Sequence, residues 1–221
     1  MQRISKTIFL AGLISLTSTF SSVSAQSTDW QGVYAQVGTG YQMYATGTTS
    51  GDLGSLGVYE DNRFNSASFT NNSAALNLAA GYNFALTPSF VLGLGIDYNP
   101  LSTSYSKSSV YYPSINRSFD NKWRALNTYS IFFSPGWAID NTKLVYAKVG
   151  YAASQRQTTV MTYNFAGYSL GLGYRQFIHK KIYAFGEINY ADYGNHALRP
   201  GVTGTQNLTS FNALLGIGYQ F

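Results

Sequence analysis

The chain contains no cysteine. That absence excludes disulfide frameworks, thiol catalysis, thiolate-ligated metals and the acylated cysteine of a lipoprotein, so packing and backbone pairing must hold the fold. Charge is scarce too: only 10% of the 221 residues are Asp, Glu, Lys or Arg. Basic residues outnumber acidic ones 14 to 9 but are dispersed along the chain. No electrostatic stripe of the kind that nucleic-acid binding needs is present, and that role is excluded. Histidine is limited to His179 and His196, unclustered and a poor basis for a metal site. Beyond the first 25 residues no uncharged apolar run reaches the roughly 20 residues of a spanning helix, so a helical membrane protein is excluded as well.

The opening segment has an address-like pattern. Arg3 and Lys6 precede an apolar stretch from Ile8 to Leu16, and Val23-Ser24-Ala25 offers small residues for cleavage before Gln26. A secretory signal over residues 1–25 is expected, the apolar stretch being too short for a membrane anchor. Without Arg3 and Lys6 the balance is 12 basic against 9 acidic side chains, a net charge of +3. Residues 26–221 then form one domain.

Aromatics and glycine are plentiful, with 19 Tyr, 14 Phe and 22 Gly. A chain rich in Tyr and Gly yet poor in charge suits a transmembrane β-barrel, where half of each strand meets lipid and half a polar interior. The periodicity agrees. From Gly32 onward, apolar or aromatic residues alternate with small or polar ones at period two, eight times over. The expected strands are about 32–44, 68–84, 90–103, 123–137, 143–155, 165–178, 182–193 and 210–221. In the last, Phe211, Ala213, Leu215, Ile217, Tyr219 and Phe221 form an unbroken outward row. The fourth is the least regular.

Connections alternate in length. Leu86-Thr87-Pro88-Ser89, Asp140-Asn141-Thr142 and His179-Lys180-Lys181 read as tight turns, while 46–67, 104–122, 156–164 and 194–209 read as longer loops. Outer-membrane barrels pair short periplasmic turns with longer outside loops, which puts both termini inside. An exported soluble barrel would carry the opposite polarity, apolar within and polar without. The expected fold class is therefore all-β: an eight-stranded antiparallel transmembrane β-barrel, closed because an open edge cannot exist in hydrocarbon.

From Asp29 to Phe221 the sequence resembles the OmpA-like superfamily of small outer-membrane barrels, especially its opacity-protein and porin-family members. The resemblance rests on Asp29-Trp30-Gln31-Gly32-Val33-Tyr34 leading into Gly38-Thr39-Gly40-Tyr41, and on the closing Gly216-Ile217-Gly218-Tyr219-Gln220-Phe221. It implies that Gly216, Tyr219 and Phe221 belong to a signal read by the barrel-assembly machinery. Larger relatives add a peptidoglycan-binding domain after the barrel; none follows Phe221, so cell-wall anchoring is not expected. The implied surroundings are outer-membrane lipid and lipopolysaccharide, the expected state a monomer, the surface ligand unspecified.

An eight-stranded barrel is just wide enough to be filled by its own side chains. Inward charges must then be paired. Asp97, Lys148, Arg175 and Glu187 all fall on the inward face, and folding the sixth and seventh strands about 179–181 brings Arg175 near Glu187. An interior ion-pair cluster is expected, as a plug or as a gate. Outward aromatics group into an inner girdle (Tyr82, Phe84, Phe90, Phe133, Trp137, Tyr174, Tyr219, Phe221) and an outer one (Tyr41, Tyr98, Tyr151, Tyr168, Tyr190, Phe211). Some small barrels deacylate or palmitoylate lipid A, or cleave proteins. Here His179 reads as a turn residue and His196 as a loop residue, and Leu198 stands where the deacylase pattern places serine. No nucleophile and base are paired, so neither an enzyme nor a cofactor is expected. A surface-interaction barrel is favoured over a narrow gated channel, and both over an envelope-lipid enzyme.

Overall fold

A computed structural model describes residues 29–57, 61–159, 161–198 and 200–221; the expected signal at 1–25 lies outside the described residues. Eleven strands follow in order: β1 Gly32–Thr46, β2 Thr49–Asp52, β3 Arg63–Ser66, β4 Phe69–Ala85, β5 Phe90–Asn99, β6 Ser106–Tyr112, β7 Arg117–Asp140, β8 Lys143–Thr158, β9 Thr162–His179, β10 Ile182–Ala197 and β11 Thr205–Gln220. Eight of them, all but β2, β3 and β6, close a ring of antiparallel neighbours. The seam runs between β1 and β11 from Tyr34 opposite Gln220 to Ala45 opposite Thr209. Phe221 then donates its backbone N–H to Val33 O at 2.8 Å.

The three short turns are where the sequence places them. Thr87 Oγ1 accepts from the backbone N–H of Phe90 at 2.9 Å, and Asp140 Oδ1 accepts from that of Thr142 at 2.8 Å. Lys180 takes the left-handed conformation (φ 41°) between β9 and β10. At the other end the strands run further than the sequence pattern suggests. β7 begins at Arg117 rather than near Trp123, and β2, β3 and β6 add a small sheet above the ring, joined to it through β6 and β7. A bridge between Asp52 and Thr203 ties that sheet to the β10–β11 connection. β5 stops at Asn99 because Pro100 has no N–H for the ladder.

The irregularity of the fourth ring strand has a local cause. Register slips between Leu126 and Tyr129 against β8, with Asn127 at φ 51°. This bulge exchanges the parity of β7, so Trp123 and Ala125 above it face inward together with Ser130 and Phe132 below it.

Outward side chains form the apolar belt. Val37, Leu78, Leu94, Ile96, Ile131, Val149, Leu170, Leu172, Ile188, Leu215 and Ile217 are all exposed. Aromatics border it, and at the outer edge they pair directly across strands: Tyr98 with Tyr129, Tyr151 with Tyr168, Tyr190 with Phe211. Tyr129 belongs to this row beside the residues expected there. From Phe90 to Tyr98 the strand climbs about 20 Å along the barrel axis at the usual rise and tilt, in keeping with a membrane-crossing belt.

Candidate functional site: the barrel interior

The inward faces are not merely small and polar. Tyr34, Phe132, Tyr146, Phe165, Tyr183, Phe185 and Tyr193 all point inward and are buried. Sequence reading placed aromatics only on the outward girdles and named none of these seven: an eight-stranded interior has volume to fill, and rings fill it. The inward glycines make room. A Cβ at Gly173 would collide with Tyr146, one at Gly218 with Tyr183, and one at Gly38 with Phe185. Each ring lies over a glycine on another strand.

Two apolar layers enclose a polar one. At the periplasmic end Trp30 is fully buried and stacks on Phe177 (centroids 4.1 Å apart, 21° between planes), with Tyr183 against its edge. At the outer end Tyr44, Trp123, Phe165, Tyr193 and Leu208 pack together. Between them lie the charges.

Lys148, on β8, reaches Asp97 Oδ2 of β5 and Glu187 Oε1 of β10, each at 2.9 Å. Its ammonium also lies 4.0 Å from the centre of the Phe132 ring. Glu187 is fully engaged: Oε1 accepts in addition from Asn189 Nδ2 at 2.7 Å, and Oε2 from the Tyr146 hydroxyl at 2.7 Å. Side-chain exposure is 5% for Lys148, 1% for Glu187 and 16% for Asp97. Burial of these charges is tolerable because each has an opposite charge or donors in contact.

Arg175 stands apart from this triad, so the expected Arg175–Glu187 contact is not formed. The register slips by one residue just after the β9–β10 turn, which sets Arg175 opposite Phe185 and Glu187 opposite Gly173. Tyr146 occupies the space between, its hydroxyl on Glu187 and its ring 4.6 Å from the Arg175 guanidinium. Tyr34 at 4.3 Å and Tyr183 at 5.2 Å complete a cage of three rings. Nη2 donates to Gln36 Oε1 at 3.0 Å. Cation–π contact and one amide oxygen thus replace the carboxylate. With two cations and two anions, the set Asp97, Lys148, Arg175 and Glu187 is neutral.

Arg156 is a fifth inward charge that sequence reading left in a loop. It follows the period-two parity of β8 from Lys148, and continuing that strand past Gln155 would have found it. Its guanidinium lies 4.9 Å from the centre of Trp123, and Nη1 donates to Gln206 Oε1 at 2.6 Å.

A cavity of about 40 Å³ adjoins the triad, lined by Asn77, Thr128, Ser130, Asn189 and Asn212 among others. It has polar walls and room for a few waters. His179 is exposed in its turn, whereas His196 lies edge-on to Phe165 with Nε2 3.1 Å from Tyr193 O. His179 ends β9 while His196 lies near the far end of β10, and no group of His, Asp or Glu among the described residues could hold a metal ion.

A closed ring of eight antiparallel strands, apolar outside and filled within, defines a small membrane barrel. The chain belongs to the outer membrane protein beta-barrel domain family, whose model matches residues 12–221. No curated protein matches the sequence. Among solved structures it is similar to the outer membrane protein OprG of Pseudomonas aeruginosa, with 10% identity, 88% of this chain and 99% of that one covered, and a TM-score of 0.53. It is also similar to the outer membrane protease OmpT of Escherichia coli, with 11% identity, coverage of 90% and 100%, and a TM-score of 0.52. Ail, the attachment invasion locus protein of Yersinia pestis, aligns at 13% identity over 86% and 99%, with a TM-score of 0.48. At these identities the likeness to OprG and OmpT is one of fold.

Proposed function

We propose that this chain is a non-enzymatic outer-membrane barrel whose working surface is its extracellular lobe, in an adhesin-like role toward a surface partner. The observation that carries the reading is the contrast between the two halves of the molecule. The interior is filled from Trp30 to Leu208, whereas the outer connections carry a sheet of their own, β2–β3–β6 continued by β7. A filled interior leaves the lobe as the place where specificity can reside. In this reading residues 1–25 direct export, Gly216, Tyr219 and Phe221 address the assembly machinery, and a single barrel sits among outer-membrane lipid and lipopolysaccharide. Asp97, Lys148, Arg175 and Glu187 act as a plug.

The test is a whole-cell binding screen with the protein displayed, alongside a variant in which residues 49–66 are replaced by a short Gly-Ser linker. Binding by the intact barrel that is lost in the variant supports the proposal, provided both show the same heat-dependent gel shift. Absence of any binding, together with discrete ion currents in planar bilayers, would instead favour the narrow channel, for which the polar cavity beside Lys148 is the supporting feature.

A further inference from the structure

Five inward charges divide unequally. Four of them sum to zero in the middle of the barrel, and Arg156 is left at the outer mouth. It is 8% exposed and makes no ion pair among the described residues. A buried cation without a counter-charge is costly unless something supplies one.

The same place holds a second anomaly. Arg156 Nε, Trp123 Nε1 and Gln206 Nε2 are buried nitrogens without a hydrogen-bond partner. They belong to three side chains in mutual contact through the guanidinium, which lies over Trp123 and donates to Gln206. All three are donors. Unpartnered buried polar atoms elsewhere in the barrel are mixed, with Tyr34 Oη, Gln31 Oε1 and Asn77 Oδ1 capable of accepting. At the mouth the missing partner is an acceptor, and the neighbouring charge is positive.

We propose that the outer mouth of the barrel is a binding site for a compact oxyanion, a carboxylate, sulfate or phosphate group, held by Arg156, Trp123 and Gln206. Arg156 stands two residues from the outer end of β8, and Gln206 is the second residue of β11, so the group enters from outside the cell. A guanidinium Nε with an indole and an amide N–H offers three donors and no acceptor, which selects an anion over a neutral hydroxyl compound. The inference is independent of the surface-binding reading, since a mouth anion site serves a plugged barrel or a channel.

The experiment uses the full chain refolded in detergent. Acetate, sulfate, phosphate and chloride are each titrated against bromide at constant ionic strength, while unfolding temperature and tryptophan fluorescence are followed. A bound oxyanion at a hundredfold excess over its Kd raises the unfolding temperature by about 5 °C or more. Acetate separates a planar carboxylate from the tetrahedral anions. Arg156→Gln abolishes the response, and Trp123→Phe weakens the Kd roughly tenfold through loss of one charge-assisted or neutral hydrogen bond. The heat-dependent gel shift establishes that each variant is folded; where Arg156→Gln does not fold, Gln206→Leu replaces it. An unchanged wild type in every anion means that water satisfies the donors and overturns the proposal. So does a response to chloride alone, or one that survives in folded Arg156→Gln or is undiminished in the other folded variants.

Discussion

Lys148 provides a quantitative test of how the interior is held. Replacing it with Met leaves Asp97 and Glu187 as buried carboxylates without their shared ammonium, and the central set changes from neutral to a charge of −1. Breaking a buried pair from one side costs about 3 to 5 kcal/mol. Glu187→Gln removes the opposite sign and leaves a charge of +1, although the amide can still meet Tyr146 and Asn189, so a value near or below the lower end of that range is expected. In Lys148→Met/Glu187→Gln the remaining Asp97 and Arg175 restore neutrality. The double variant should therefore be less destabilised than the sum of the singles, by about 2 kcal/mol, toward the upper end of couplings for contacting residues. Arg175 and Glu187, separated by Tyr146, should couple by less than about 0.5 kcal/mol. Urea unfolding of the refolded barrel, read by the heat-dependent gel shift, measures both cycles. Additive effects at Lys148 and Glu187, or a larger coupling at Arg175 and Glu187, would refute the arrangement described.

Gly218→Val places a side chain where the Tyr183 ring lies and should cost about 1 to 3 kcal/mol by the same assay, whereas Gly186→Ala, whose Cβ meets only the end of Leu215 on the lipid side, should cost far less. Deleting Phe221 should lower the folded yield in cells more than it lowers refolding in detergent, if the terminal aromatic is read during assembly; equal effects would assign it to the seam with β1 alone. In the exposed loop the Arg63 guanidinium, 2.7 Å from Asp61, holds that carboxyl down to about 2. Since the folded value is lowered, the pair's small contribution is present above the ordinary carboxylate value and is lost as pH falls through about 2; NMR titration of Arg63→Ala should show Asp61 rising toward that ordinary value but staying below it, because the backbone N–H of residue 63 still donates to the carboxylate.

Strand count, turn positions and the lipid-facing rows were legible because each follows from period-two alternation and from turn residues with local causes. The mouth was less so. A bulge at Asn127 breaks alternation, and above it Trp123 changes face without any sign in composition. Arg156 was missed because loops were bounded where apolar residues ended, although hydrogen bonding continues past the lipid belt. The inward rings are hidden for a different reason: Tyr146 and Tyr183 find their room over Gly173 and Gly218 on neighbouring strands, and that pairing depends on register. Register also separates Arg175 from Glu187. The pairing sets Arg175 opposite Phe185, one inward position short of Glu187, and Tyr146 comes between.

Planar-bilayer recording on the refolded wild type, beside Lys148→Met shown to be folded by its gel shift, tests the central claim most directly. If Asp97, Lys148, Glu187 and the caged Arg175 seal the barrel between its two aromatic layers, the wild type gives no discrete current steps. Regular steps in the wild type, abolished or resized by Lys148→Met, would contradict a sealed interior and make the charged layer a conduction path.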